Sequence, residues 1–334
     1  VRLEDLDYEL PERLIAQSPI EPRDAARLLV DRGSEPPDDE FVRDLPRILR
    51  PGDLVVVNDT RVRHARLHLR RSTGGRVEVL LLEPTPTGDW NALVRGGGRV
   101  RAGETLVDDA GTPIVEMVDR SEDTFLVRLL VDEGRLASIG EVPLPPYIRE
   151  PLADASRYQT VFARDERSAA APTAGLHLTH GLIDRLGERG IGFCRVELAV
   201  GLDTFRPIEH DDPLAHRMHS EWFRVPEATW ERCAATRADG GRVVAIGTTS
   251  CRALESAASL GVLEDRTRLF IHPGHEWRVV DVLLTNFHMP RTTLLLMIDA
   301  FVGPRWRELY RTAIGREYRM LSFGDAMLLD RHAR

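Results

Sequence analysis

The chain changes its apolar period partway along, and that change constrains the fold more than any other feature. From about residue 148 onward, segments of helical spacing alternate with short apolar runs. Helices are expected over 181–189, 227–238, 249–260 and 293–301, and strands over 191–200, 242–246, 268–271 and 279–284. Such alternation builds a sheet covered by helices. Between about 65 and 142 the texture differs. Runs such as VEVLLLEP, WNALVRG, TPIVEMVD and TFLVRLLVD are separated by Gly or Asp turns at short spacing, the pattern of a small all-β barrel or sandwich. The proline-rich segment 143–147 then leads back as a stiff connector. Ahead of the β-rich region, four apolar residues at 54–57 follow a Pro51-Gly52 turn and end in Asn58-Asp59-Thr60, as a buried strand would. The expected class is therefore α/β: a helix-covered sheet domain, 1–64 and 148–334, with a small antiparallel β-barrel, 65–147, inserted in it.

Size and composition narrow the chemistry. A chain of 334 residues suits two domains of roughly 150 residues each. No apolar run approaches the ~18 residues of a membrane helix. The acidic N-terminal stretch has no hydrophobic region, and the three cysteines form no CxxC pair. A cytoplasmic location is expected, without disulfides, iron–sulfur clusters or thiolate zinc. All 45 basic residues are Arg. Without lysine there is no Schiff-base chemistry, no pyridoxal-phosphate site and no Walker A lysine. Each cation is instead a planar fork suited to phosphate or carboxylate. The net charge of −8 speaks against a nucleic-acid partner, but it hides a local excess. The stretch RVRHARLHLRRSTGGR at 61–76 carries six Arg and two His with no acid, and Arg95, Arg99 and Arg101 follow. This is either a solvated strand face or a phosphate-binding surface.

In α/β domains ligands gather where strands end and helices begin. Four polar clusters fall at such junctions. At the first, Gly247 permits a tight turn, and Thr248, Thr249 and Ser250 open a helix whose N–H groups favour an anion; plain helix capping is the alternative. The second is Thr173, Gly175 and His177 before a helix capped by Thr179; His177 is a base or a structural histidine. The third is His216, His219 and Glu221. With His210 it resembles a metal set, but nothing puts these residues on one helical face, so no metal is expected. A general base His219 oriented by Glu221 fits better. The fourth is Asn286 and His288, followed by Pro290, Thr292 and Thr293, which also suit a helix start. Asn58 and Asp59, and Ser322 and Asp325 near the C-terminus, are further candidates.

The joint order of these motifs resembles one family. PGDLVVVNDTRV, PLPPYI, AAPTAGLHLT, HRMHSEWF, VVAIGTTSCRALES, VVDVLLTNFHMPRTTLL and YRMLSFGDAMLL together resemble the S-adenosylmethionine:tRNA ribosyltransferase-isomerases of queuosine biosynthesis, over nearly the whole chain. The resemblance implies an α/β domain with an inserted β-barrel and a monomer without a permanently bound cofactor. It implies S-adenosylmethionine as cosubstrate. The other substrate would be a tRNA of GUN-type anticodon carrying 7-aminomethyl-7-deazaguanine at the wobble position. The ribosyl part would be transferred to the aminomethyl group and isomerised to an epoxycyclopentanediol, with release of adenine and methionine. A sulfonium acidifies the neighbouring C5′ protons, so a positioned base suffices to form an ylide. On that chemistry His177 or His219 is the base. Thr248, Thr249 and Arg252 hold the methionine carboxylate or a tRNA phosphate, and Thr173, Gly175 and Gly247 line the pocket. Asn286 and His288 bind adenine or ribose hydroxyls, and His288 or Asp325 protonates departing adenine. Arg61, Arg66, Arg70, Arg71 and Arg99 face the tRNA. The sequence departs from the family pattern at Ala26, His64, Leu178, Ala199 and Asp203. Ala199, where a His is usual, keeps open a relative acting on another amine. A His-cluster metal-dependent hydrolase and a non-catalytic RNA-binding module are the other readings.

Overall fold

The computed structural model describes residues 2–332 apart from 97–99, 121–123, 202–207, 209–211 and 217. In chain order the elements are β1 (Arg27–Arg32), β2 (Glu35–Phe41), α1 (Leu45–Ile48), β3 (Leu54–Asn58) and β4 (Arg61–Val62), then β5 (Arg66–Arg70), β6 (Arg76–Pro84), β7 (Trp90–Arg95), β8 (Thr105–Val107), β9 (Pro113–Arg120), β10 (Phe125–Leu129) and α2 (Glu133–Ile139). After β11 (Glu166–Ser168) come α3 (His180–Glu188), β12 (Gly192–Leu198), β13 (Glu221–Arg224), α4 (Glu227–Ala238), β14 (Val243–Ile246), α5 (Thr248–Leu260), β15 (Glu264–Thr267), β16 (Val282–Asn286), α6 (Thr293–Val302), α7 (Trp306–Gly315) and β17 (Ala326–Asp330). Contacts divide the chain into two units. The first comprises Val1–Arg61, Pro145–Asp165 and Ala171–Arg334; the second comprises Val62–Leu144 and Glu166–Ala170. The short stretch Glu166–Ala170 thus belongs with the β-rich unit, not with the α/β unit expected from sequence.

The first unit is built on a nine-stranded mixed sheet, order β15-β13-β12-β3-β14-β16-β17-β1-β2. Its centre is the valine run of β3, every residue of which is buried. β3 is flanked in parallel by β12 and β14, and β14 by β16. Strands covered on both faces read as unbroken apolar runs, as this one does. Local chemistry starts and stops the covering helices. Thr179 caps α3 by accepting from the Leu182 N–H at 3.1 Å, and α3 turns buried Leu182 and Leu186 to the sheet. Gly261, at φ +71°, ends α5 in the left-handed conformation. Among the described residues no helix is long and apolar enough to cross a membrane.

Two expected strands are corrected. Residues 268–271 form none; the strand is β15, just ahead of them, where polar Glu264–Thr267 pairs antiparallel with β13. Pairing at a sheet edge creates that strand without any apolar alternation to announce it. The strand expected over 279–284 begins only at Val282. Val279 and Val280 instead donate their N–H groups to the Glu255 carboxylate, each at 2.9 Å, which takes them out of the ladder.

The second unit holds a closed six-stranded antiparallel barrel, order β10-β7-β6-β5-β8-β9. Inward residues such as Leu67, Val79, Ala92, Val115 and Val127 are fully buried. β4 and β11 pair as a short ribbon.

Candidate active site

Strand direction places the site. β3, β12, β14 and β16 point the same way, and β17 runs back beside β16 with Ala326 opposite Asn286. The turn before β17 therefore lies at the carboxyl ends of the parallel strands, where ligands bind in sheets of this type. A cleft of about 600 Å³ opens there. Its walls are Ala171–Ala174, the β14–α5 junction with Gly247, Thr248 and Thr249, the β16–α6 connection from Thr285 to Met289, Leu321 and Ser322, and Tyr147. Among the described residues none of those lining the cleft is Asp, Glu or Arg.

At the β14–α5 junction Gly247 sits at φ +89°, ψ 153°, a region essentially restricted to glycine. That turn aims the start of α5 at the cleft, and the first helical N–H groups have no intrahelical acceptor. Ser250 is spent on the fold, its hydroxyl donating to the Ile246 carbonyl at 2.8 Å. The Thr249 Oγ1 is buried at the cleft wall with no hydrogen-bond partner among the described residues. The junction therefore offers N–H groups, the positive end of a helix dipole and one spare hydroxyl to an anion.

Asn286 ties the cleft to the sheet. Its Oδ1 accepts from Thr173 Oγ1 at 3.0 Å. Its Nδ2 donates to His177 Nε2 at 3.2 Å and lies near the carbonyls of Leu321 and Asp325. Burial, with Arg319 and Arg23 nearby, pushes His177 down to about 4, so its ring is neutral at pH 7 and accepts from Asn286. His177 is not among the cleft-lining residues; it borders a smaller pocket with Arg23 and Arg157. His288 does line the cleft. Burial pushes it down to about 3, and its Nε2 lies 3.0 Å from Thr285 Oγ1. A ring held neutral in this way offers hydrogen bonds rather than an imidazolium proton. Asp325 is committed to structure, its two oxygens accepting from the N–H groups of Arg27 and Arg319 at 2.9 and 2.8 Å. Gly175 serves packing: a Cβ there would stand 3.0 Å from both Phe162 and Thr160.

Thr248, Thr249 and Leu294 are shared with an adjoining hollow of about 390 Å³ that brings in Glu221 and Arg252. These two form a buried ion pair. Arg252 Nε also donates to the Leu269 carbonyl at 3.0 Å, and Glu221 Oε1 accepts from the Gly201 N–H at 3.0 Å. The structure thus gives Glu221 to Arg252 and Gly201, and Arg252 is not a free cation for an anionic ligand. His219 is exposed and lines a third hollow of about 300 Å³, with His216, Glu221 and Arg252. Among the described residues no group of three or more His, Cys, Asp or Glu is placed to hold a metal ion. His210 and Asp203 lie outside the described residues. Ala199 follows β12, its N–H donating to the Trp222 carbonyl at 2.9 Å.

The arginines expected to face RNA are largely paired. Arg71 holds Glu104 through two nitrogens, Arg70 holds Asp109 at 2.6 Å, and Arg66 lies 3.8 Å from Glu78. The acids come from other strands and turns of the barrel, so the basic run is neutralised in space. Arg76 and Arg95 are exposed and carry no ion pair among the described residues. Arg61, on β4, is not among the residues lining the cleft, and its N–H donates to the Asp165 carbonyl at 2.8 Å. Arg99 lies outside the described residues.

Sequence reasoning misses Tyr147 as a cleft residue. It closes the proline-rich connector and shares a 2.7 Å hydrogen bond with Ser322 across the cleft wall. Its only signal in the sequence is a lone aromatic after three prolines, which also suits a spacer.

A family model described as a queuosine biosynthesis protein matches residues 3–329. An S-adenosylmethionine:tRNA ribosyltransferase-isomerase from Symbiobacterium thermophilum is 46% identical over 342 residues, covering 98% of this chain and 100% of that one. One from an Azoarcus species is 49% identical, covering 99% and 98%. The crystal structure of S-adenosylmethionine tRNA ribosyltransferase from Thermotoga maritima aligns with a TM-score of 0.56 at 36% identity, covering 97% of this chain and 99% of that one. The chain belongs to the queuosine biosynthesis protein family.

Proposed function

We propose that this protein transfers the ribosyl moiety of S-adenosylmethionine onto 7-aminomethyl-7-deazaguanine at the wobble position of a tRNA anticodon and isomerises it to the epoxycyclopentanediol. The products are epoxyqueuosine-tRNA, adenine and methionine. Likeness over the full chain to ribosyltransferase-isomerases carries this reading, and the chemistry of the cleft supports it. The methionine carboxylate docks on the first N–H groups of α5 and on Thr249 Oγ1. The sulfonium then lies between walls that hold no carboxylate among the described residues. A cation stripped of water and given no counter-charge favours loss of its C5′ proton and departure as a neutral thioether.

The residues divide the work. His219 takes the proton from C5′. His177 acts through Asn286, fixing its amide against Thr173. Neutral His288, with Thr285, Tyr147 and Ser322, binds adenine or the ribose hydroxyls. The Arg252–Glu221 pair anchors the adjoining wall. Exposed Arg76 and Arg95 hold phosphates of a tRNA with a GUN-type anticodon. The protein acts as a monomer in the cytoplasm and needs no resident cofactor.

Incubation with S-adenosylmethionine and tRNA bearing the aminomethyl base should release free adenine; absence of adenine refutes the function. His219→Ala should lower kcat by about 10²–10⁴-fold, the usual worth of a general base. Near-normal turnover in that variant would move the proton to another group.

A further inference from the structure

The second unit contains a cavity of its own, apart from the strand-end cleft. It spans about 530 Å³, including space open to solvent, and is lined by Arg63, His64, Trp90, Leu136, Ala137 and Glu166. Trp90 opens β7 and is 8% exposed. The Arg63 guanidinium carbon lies 4.7 Å from the centroid of its indole ring, a cation–π stack. Leu136 and Ala137 on α2 supply apolar wall. His64 Nδ1 is buried and has no hydrogen-bond partner among the described residues. The frame is fixed: a Cβ at Gly140 would stand 2.1 Å from the His64 carbonyl, so the end of α2 is seated directly on this segment. A buried nitrogen left unpaired is costly to the fold unless a ligand meets it.

A stacked cation and aromatic ring, an apolar side wall, one spare imidazole nitrogen and one carboxylate suit a flat ligand whose edge carries both donors and acceptors. Unstacked RNA bases are recognised in this way, by stacking on aromatic rings or guanidinium planes and by bonding along their edges. We propose that this cavity takes one unpaired nucleobase of the RNA substrate. The base packs against the Arg63–Trp90 stack, with its edge reaching His64 Nδ1 and an exocyclic amine reaching Glu166. The inference rests on RNA being the substrate. It assigns to the β-rich unit a base-reading pocket in addition to any contact with phosphates.

The test uses the full-length protein and two probes, an RNA stem-loop with an anticodon-sized loop and the four nucleoside monophosphates. Ala137→Leu fills the cavity, and His64→Ala removes the spare nitrogen. Each should weaken stem-loop binding about tenfold, the scale of one lost base stack, with the salt dependence unaltered because no phosphate contact is lost. At millimolar concentration at least one monophosphate should quench tryptophan fluorescence in the parent protein, and Trp90→Phe should abolish that quench. Unchanged RNA affinity in both cavity variants, or a quench that survives in Trp90→Phe, overturns the proposal. Adenine release by the parent protein is scored separately, so failure of the function and failure of the pocket are distinguished. The monophosphates probe the cavity whether or not the stem-loop binds.

Discussion

Replacing Thr249 by Val should weaken the cosubstrate while leaving the free protein at least as stable. The Thr249 Oγ1 is buried at the cleft wall with no partner among the described residues. An unpaired buried hydroxyl costs the fold about 1–3 kcal/mol. Valine has the same shape, and the two residues differ by only tenths of a kcal/mol in helix propensity. The free protein should therefore hold its stability or gain up to about 1–3 kcal/mol. With S-adenosylmethionine bound, the hydroxyl donates to a carboxylate, a charge-assisted bond worth about 1.5–3 kcal/mol. At about 1.4 kcal/mol per tenfold, KM for S-adenosylmethionine should rise by about 10- to 150-fold. The carboxylate is remote from the reacting carbon, so kcat should change little. Denaturant titration and adenine release at saturating tRNA measure the two halves, and Thr249→Ser should keep KM near the parent value. A Val variant that loses stability while keeping its KM would mean that the hydroxyl serves the fold, and the carboxylate site would have to be given up.

Three further outcomes are expected. Arg252→Met strands the buried Glu221 carboxylate and should cost about 3–5 kcal/mol in denaturant titration. Arg252→Met combined with Glu221→Leu should recover much of that; a double variant no more stable than the single would contradict the pairing argument. His177 and His288 titrate near about 4 and about 3 in the fold against 6.5 when unfolded. The unfolded chain therefore takes up protons first, and the stability these rings contribute is full above pH 6.5 and lost as pH falls toward 4 and 3. The loss is about 2 kcal/mol per ring between pH 7 and 5. Asp59, pushed up to about 6 by burial beside Glu197, acts in the opposite sense, favouring the fold at low pH and ceasing to do so as pH rises through 6. Thermal melts of His288→Gln should show a flatter decline from pH 7 to 5 than the parent; an unaltered slope would show that this ring is not the source. For RNA, Arg76→Ala and Arg95→Ala should each reduce the slope of log affinity against log salt by about 0.7–0.9. Arg71→Ala should leave that slope alone and destabilise the barrel by freeing Glu104; the reverse pattern would restore the paired arginines as the RNA face.

The amino-acid order by itself determined the two textures of the chain, the central valine strand, the helix at 227–238 with both its ends, and the placing of polar clusters just after strands. These are local matters. Apolar period, turn glycines and helix caps are set by residues a few positions apart, and the tight turn at Gly247 is legible from its place between an apolar run and a threonine pair. Tertiary structure alone decided what the polar residues do there. Glu221 and Arg252, 31 positions apart, meet as a buried pair, and Asn286 reaches His177 across 109 positions. The arginine-rich stretch has no acid within it, yet Glu104 and Asp109 arrive from elsewhere in the barrel to neutralise it. Histidines ordinary in sequence are held neutral because the fold removes their water. Charge pairing and desolvation depend on which distant residues the sheet and barrel bring within a few ångströms, and no local pattern encodes that distance.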